Sequence, residues 1–464
     1  MIWLYFVFGL LACGEDVPHI ILKTGADLSY TNEMEDCGVV YYADSEEVDP
    51  YHYFADRGSA ISRIRLWHTP AWYDTLNQGK RYSDLDDVIK SLRRSRDAGM
   101  DILLNYHLSD NWADPQRQEI PQAWQDIADD VNVLADSLYN YVYDVLDRLY
   151  VEGLVPEMVQ VGNETNIEIL KNITDTTDKT IDWERNAFLF KKGMRAVRDF
   201  SADKGEHIKI AMHLASPAEL EELLESFLSY GVVDFDIIGI SYYWAWHYPT
   251  TIAETGEIIR RTKARHPDKE VMIFETGYVW TDEYNDEAAN IISETHPDYE
   301  LASPANQLKW LEDLSETVAQ NGGTAVLYWE PTWVSSPCYT QWGQGSHQEH
   351  ATFFNFENKV IENGGIKWLG GQWAINEVAP DISIQTDAEN DTYNIIKSEG
   401  AEVPALTDFL LFDQSGEELI HGRIENGDDK IELDLSLVDW PSGQCFLIIR
   451  GVEGFIYSQS VGQE

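Results

Sequence analysis

The sequence predicts a (β/α)8 barrel followed by a small all-β module, and three observations carry that reading. Eight short apolar runs, each followed by a polar loop and most by an amphipathic stretch, succeed one another over residues 20 to about 335. The runs are nearly continuous in apolar residues, as strands buried on both faces are. Beyond residue 400 the pattern changes to short alternating strands separated by turn residues.

The runs are Ile20–Tyr30, Ile61–Trp67, Met100–Ser109, Met158–Thr165, His207–Ser216, Phe235–Trp244, Glu270–Trp280 and Gly323–Trp333. Helical spacing of apolar residues marks Asp84–Ala98, Asp130–Leu149, Trp183–Phe200, Pro217–Tyr230 and Gln307–Asn321 between them. Strand and helix alternating in this way close a parallel barrel, read here as residues 20–375. Residues 376–400 are polar, with Asp387-Ala-Glu-Asn-Asp391 at their centre, and read as a linker. Residues 401–464 carry strand-like runs at Leu406–Asp413, Leu419–Ile424, Lys430–Leu435 and Gln444–Arg450, consistent with a small β-sandwich.

A chain of 464 residues suits one large barrel with an appendage, and 44% hydrophobic residues supply its core. Acidic residues outnumber Lys and Arg by 81 to 33, a formal charge of −48. Such a surface repels nucleic-acid phosphates and anionic lipid, so neither is expected as a partner. The sixteen Trp residues offer flat faces suited to stacking on sugar rings, as well as core material.

Residues 1–13 read as a signal segment. Met1–Ala12 is apolar but too short to span a bilayer, and it runs into Leu11-Ala12-Cys13-Gly14. This resembles a bacterial lipoprotein signal with Cys13 as the acylated residue, although no Lys or Arg precedes the apolar run. A lipid on Cys13 is the one membrane attachment expected. Cys37 and Cys338 fall on the first and eighth loops, neighbours in a closed barrel, and form either a disulfide or two buried thiols; Cys445 stands alone.

Barrel chemistry sits at the C-terminal ends of the strands. The fourth run ends Val159-Gln-Val-Gly-Asn-Glu164 and the seventh Met272-Ile-Phe-Glu275, each placing one Glu over the mouth. A pair of carboxyls facing across a sugar is what glycoside hydrolysis requires: a protonated acid for the leaving oxygen and an ionised nucleophile opposite. Glu164 is read as acid/base and Glu275 as nucleophile, with Asn163 reaching the sugar 2-hydroxyl.

Further motifs accompany the pair: Gly25-Ala-Asp-Leu-Ser29, Arg63-Ile-Arg65-Leu-Trp67, Tyr106-His-Leu-Ser-Asp-Asn-Trp-Ala-Asp-Pro115, His213-Leu-Ala215, Ser241-Tyr-Tyr243, Glu275-Thr-Gly-Tyr278 and Tyr328-Trp-Glu-Pro-Thr-Trp333. In this order they resemble the arabinogalactan endo-β-1,4-galactanases, glycoside hydrolase family 53 of clan A, over roughly residues 22–370. The resemblance implies retaining cleavage inside β-1,4-galactan, such as the side chains of pectin, with no cofactor required. The expected supporting residues are Arg65, holding the nucleophile ionised, and Tyr243, donating to it. His107, His213, Asp110 and Asp114 bind hydroxyls or order the site, and Trp112, Trp246, Trp329 and Trp333 stack on sugar rings. Some family members hold calcium near the seventh loop, where Asp282, Asn285, Asp286 and Asn290 offer oxygen ligands without a recognisable loop spacing. Trp244 stands where the family commonly has Pro, which bears on subsite shape.

The C-terminal module resembles sorting domains of type IX secretion cargo, through Leu411-Phe-Asp-Gln-Ser-Gly416 and Pro441-Ser-Gly-Gln-Cys-Phe446, and implies secretion machinery as a partner. Both address labels point to an extracellular or outer-surface location in a Gram-negative bacterium. The competing readings are another clan A endoglycanase (a mannanase or β-glucanase) and a surface glycan-binding protein without catalysis.

Overall fold

The computed structural model describes residues 20–172, 180–387, 392–424, 430–434, 438 and 440–462. The segment read as a signal, with Cys13, lies outside these residues. The barrel strands are β1 (Lys23–Asp27), β2 (Ser59–Leu66), β3 (Asp101–Tyr106), β4 (Met158–Val161), β5 (Lys209–Leu214), β6 (Ile237–Ser241), β7 (Glu270–Thr276) and β8 (Ala325–Tyr328). All pair in parallel, and β1 closes the ring by pairing with both β8 and β2.

Side-chain alternation along the strands builds the interior in layers. Ile61, Leu103, Met158, Ala211, Ile237, Met272, Phe274, Ala325 and Leu327 form an apolar plug inside the ring. Space for it is cut by glycine: a Cβ on Gly239 would lie 2.1 Å from the Phe274 ring, so β6 must be bare there. Two residues further up the strands the same face turns polar, with Asp27, Arg63, Asn105, Gln160, His213 and Ser241 all buried. Glu275 joins this layer because the β6–β7 register shifts between Ile240 and Ser241, pairing Ser241 with Glu275. Such bulges redirect a side chain where regular pleating would turn it away.

Most of the long outer helices begin at side-chain caps that satisfy their free N–H groups, Leu220–Ser229 being an exception. Asp84 caps Leu85–Asp97, Asp130 caps Val131–Val151, Asp182 caps Trp183–Lys204, and Ser303 caps Pro304–Gln320. Thr251 and Glu254 form a reciprocal capping box on Ile252–Arg265. Their apolar faces, such as Leu134, Leu138, Val142, Val145 and Leu149, pack on the barrel's outer wall. Cys37 and Cys338 are joined as a disulfide with Cα atoms 5.6 Å apart, tying the first loop to the eighth across 301 residues. Cys445 is a buried free thiol.

The C-terminal module is a pair of antiparallel sheets. One contains β9 (Ile382–Asp387), β10 (Thr392–Lys397) and β13 (Lys430–Asp434). The other contains β12 (Glu418–Arg423), β11 (Leu406–Phe412), β14 (Cys445–Gly451) and β15 (Ile456–Val461). The stretch read as a linker is corrected here: β9 and β10 lie within it and pair directly, Ile384 opposite Ile395, so the module begins near residue 382. Its four-stranded sheet is apolar on both faces. Leu411, Leu447, Ile449 and Tyr457 face the module's own core, whereas Leu410, Phe412, Phe446, Ile448 and Ile456 pack into the barrel's core. His266 shares a 2.7 Å hydrogen bond with Ser458, and the Ser460 amide donates to Asp268 at 3.2 Å.

Candidate active site

The centre of the polar layer is Arg63, 1% exposed on β2. Its planar fork serves four acceptors: Asp27 Oδ2 at 2.9 Å, Glu275 Oε1 at 2.8 Å, Asn163 Oδ1 at 2.6 Å and Gln160 Oε1 at 3.1 Å. A guanidinium suits this task because its donors are fixed in one plane and its charge persists in a buried site. The Tyr243 hydroxyl donates to the other Glu275 oxygen at 3.1 Å. Glu275 thus has a cation on one oxygen and a hydroxyl donor on the other.

Glu164 leaves β4 with a φ of 45°, which lifts its side chain over the mouth, where it is half-buried. A Glu164 oxygen, a Glu275 oxygen and a His213 ring nitrogen all lie within 4.8 Å of one another. His213 is fully buried and uses both nitrogens. Its Nδ1 receives the Gln160 amide at 3.0 Å and the backbone N–H of Glu164 at 3.3 Å, so the ring proton belongs on Nε2, which meets Ser241 Oγ at 2.9 Å. Ser241 in turn hydrogen-bonds the Glu164 carboxyl. Burial holds the His213 pKa well below the ordinary value, aided by the Arg63 charge, so this relay is neutral.

The two carboxyls are unequal. Burial pushes Glu164 well above the usual carboxylate range, and the nearby Glu275 charge adds to the effect. Burial also raises Glu275, but Arg63 and the Tyr243 hydroxyl pull it back. One proton shared by the pair therefore resides on Glu164.

Not all of the residues expected around the pair reach it. Asn163, Tyr243 and His213 converge on it. Arg65 does not, which corrects the expectation that it holds Glu275: two residues higher on β2, its guanidinium lies 4.5, 4.3 and 4.4 Å from the ring centres of Tyr30, Trp67 and Trp112 and donates to Ser83. His107 accepts the Ala113 amide at 3.2 Å, and the Ala113 carbonyl accepts from Asn163 at 2.8 Å, so His107 orders the third loop beneath Asn163. Asp110 binds the amides of Thr69 and Gln122, and Asp114 those of Gln116 and Arg117, so both carboxylates shape loops. Trp246 is 47% exposed beside Tyr243, while Trp112 and Trp329 meet edge to face at 5.6 Å near the mouth. Trp333 is corrected: 1% exposed and stacked on Tyr30 at 3.8 Å, it is core.

Sequence reasoning missed Arg63, Asp27, Gln160 and Ser241, although all four sit inside the quoted motifs. The exposed Trp342 and Tyr339 of the eighth loop were also missed. The Asp286 carboxylate accepts the backbone amides of Ala288 and Ser346 at 2.9 and 2.7 Å, bracing the seventh loop on the eighth. Among the described residues the one convergent group of ligand type is Glu164, His213 and Glu275, where both His213 nitrogens are bonded and Arg63 already supplies the cation.

A (β/α)8 barrel with two facing carboxyls of unequal proton affinity at its C-terminal mouth defines a glycoside hydrolase of the two-carboxylate class. Comparison with known proteins gives the family. Residues 23–363 match the model of glycosyl hydrolase family 53, and the chain belongs to that family. It is 44% identical over 337 residues to the arabinogalactan endo-β-1,4-galactanase of Cellvibrio japonicus, covering 72% of this chain and 87% of that one. It is 30% identical to the endo-β-1,4-galactanase of Bacillus subtilis, covering 77% and 82%. The solved GH53 catalytic domain of Ignisphaera aggregans superposes with a TM-score of 0.66 at 27% identity, covering 76% of this chain and 99% of that domain.

Proposed function

We propose that this protein is an endo-acting, retaining arabinogalactan endo-β-1,4-galactanase, with Glu275 as nucleophile and Glu164 as acid/base. The observation that carries the reading is the pair itself, with oxygens within 4.8 Å across the mouth. Retaining hydrolases need about 5–5.5 Å between the carboxyls, too little for an intervening water. The named relatives support galactan as substrate.

Each step follows from the local chemistry. Glu164, protonated by burial and by its neighbour's charge, gives its proton to the glycosidic oxygen as that bond breaks. Glu275, anionic beside Arg63, attacks the anomeric carbon from the opposite face and forms a galactosyl ester. Loss of the Glu275 charge on esterification removes a reason for Glu164 to stay protonated. Glu164 then takes a proton from water, which hydrolyses the ester with net retention. Asn163, anchored by Arg63 and the Ala113 carbonyl, has a second amide hydrogen for the sugar 2-hydroxyl.

The location belongs to the same proposal. A buried disulfide favours an oxidising compartment, which supports an extracellular or outer-surface enzyme acting on pectic galactan. Lipidation at Cys13 and engagement of secretion machinery by the C-terminal module are the proposed routes there. The test is reducing-sugar release from β-1,4-galactan, with mannan and cellulose as controls, by the wild type and Glu275→Ala. Galactan-only activity lost in the variant is expected. Activity on the controls alone would replace the galactanase reading with another endoglycanase. Galactan binding without hydrolysis would favour a binding protein.

A further inference from the structure

Behind the nucleophile lies a second acid that the chemistry above does not use. Glu330 follows Trp329 just beyond β8 and is completely buried. No side chain donates to either of its oxygens at hydrogen-bonding geometry, and the one donor that approaches it is the Tyr30 backbone N–H. The Arg65 guanidinium stands 3.8 Å away, with its own near nitrogen also unpaired. The groups that face Glu330 are Asp27 from β1, Arg65 from β2, and Tyr30 and Tyr41 from the first loop. A carboxylate buried without a side-chain donor is costly, and the usual escape is to keep a proton.

A proton on Glu330 needs an acceptor, and the Asp27 carboxyl lies within side-chain hydrogen-bonding reach. Asp27 is the natural anion of the two. It accepts the Ser29 amide at 3.1 Å and the Ser29 hydroxyl, and it pairs with Arg63 at 2.9 Å, whereas Glu330 has none of these. Burial acts in the same direction, holding the Glu330 pKa well above the carboxylate range, with the Asp27 charge adding to it.

We infer that Glu330 is a positioning residue for the reaction: its carboxyl donates a hydrogen bond to Asp27, and through Asp27 it fixes the Arg63 fork against Glu275 and Asn163. The chain Glu330–Asp27–Arg63–Glu275 runs from β8 through β1 and β2 to β7, crossing the seam where the barrel closes. This inference rests on Glu275 being the nucleophile.

Two variants and one spectroscopic readout test it. Glu330→Gln keeps a donor for Asp27, whereas Glu330→Met fills the space without one. On β-1,4-galactan, Glu330→Gln should retain kcat within about threefold, while Glu330→Met should lose roughly 10–100-fold in kcat with KM little changed. The acid limb of the Glu330→Met pH profile should move to higher pH, as Arg63 loosens from Glu275. Independently of turnover, the isotope-edited infrared difference between wild type and Glu330→Gln, with labelled glutamate at neutral pH, should show one protonated carboxyl lost. That measurement stands even if Glu330→Met does not fold or the substrate reading fails. A carboxylate band lost in its place, or Glu330→Gln as impaired in kcat as Glu330→Met, would overturn the inference and make Glu330 an anionic partner of Arg65.

Discussion

Replacing Arg63 by lysine while making the same change at Arg65 separates two arginines that lie two residues apart on one strand face. Arg63 binds Glu275, Asn163, Asp27 and Gln160 at 2.6 to 3.1 Å. A lysine retains the charge but, as a point donor, cannot serve four acceptors held in a plane. If its ammonium stays with the carboxylates, the contact to Asn163 is lost, and charged hydrogen bonds of this kind contribute roughly 1.5–3 kcal/mol. With about 1.4 kcal/mol per decade, Arg63→Lys should lower kcat by roughly 10–100-fold and leave KM nearly unchanged. Arg63→Met loses the Glu275 contact as well and should fall by roughly 10²–10⁴-fold. It also strands buried carboxylates, with about 3–5 kcal/mol of stability lost. Arg65 binds three aromatic faces and Ser83, so Arg65→Lys should lower the melting temperature while kcat stays within about threefold. Initial rates on galactan and thermal melts of the three variants decide it. Wild-type kcat in Arg63→Lys together with a tenfold or greater loss in Arg65→Lys would refute the assignment.

Other outcomes follow from the scaffold. Burial raises the Glu33 carboxyl to about 8, beneath a 2.8 Å hydrogen bond from Tyr73. The folded state then holds a proton that the unfolded chain releases, so this contribution is complete below about pH 4.5 and erodes as pH rises toward 8. Glu33→Gln should therefore flatten the decline of melting temperature over that window; an unchanged slope would place the titration elsewhere. Reducing the Cys37–Cys338 bond, or replacing both residues by serine, should cost up to about 5 kcal/mol because the closed loop is so long, and unchanged melts after reduction would contradict this. Ending the chain after residue 376 should uncover the barrel surface that now receives Phe412, Phe446 and Ile456, lowering the melting temperature and promoting aggregation. A truncated barrel as stable as the full chain would show the module to be a passenger.

The ring of strands was legible because most carry a nearly continuous apolar run that ends near a polar or charged residue. The catalytic pair was legible for the same reason: Glu164 and Glu275 terminate such runs. The choice between Arg63 and Arg65 was not. Both face inward, and what separates them is their position along the strand, roughly 6.6 Å for two residues. Height relative to Glu275 depends on the stagger of all intervening strands and on the bulge at Ser241, neither of which is written locally. Trp333 misled for a related reason, since position after a strand does not say which way a ring turns, and Tyr30 from the first loop claims its face. The polar residues 376–400 read as a linker by composition, yet Ile382 and Ile384 alternate with Ser383 and Gln385, and Tyr393 and Ile395 flank Asn394, at the period of a strand. Asp27 and Glu330 could not be found from sequence, because a buried acid acts through partners that only the closed barrel brings to it.

The stereochemistry at the anomeric centre distinguishes a nucleophilic Glu275 from direct attack by water. Proton NMR of galactan digestion, recorded in the first minutes before mutarotation, reads that directly. One oxygen of each carboxyl lies within 4.8 Å of the other, close spacing of the kind retaining enzymes use, so the new reducing ends should appear first as the β-anomer and only later equilibrate. Initial formation of the α-anomer would mean direct attack by water, and Glu275 could not be the nucleophile.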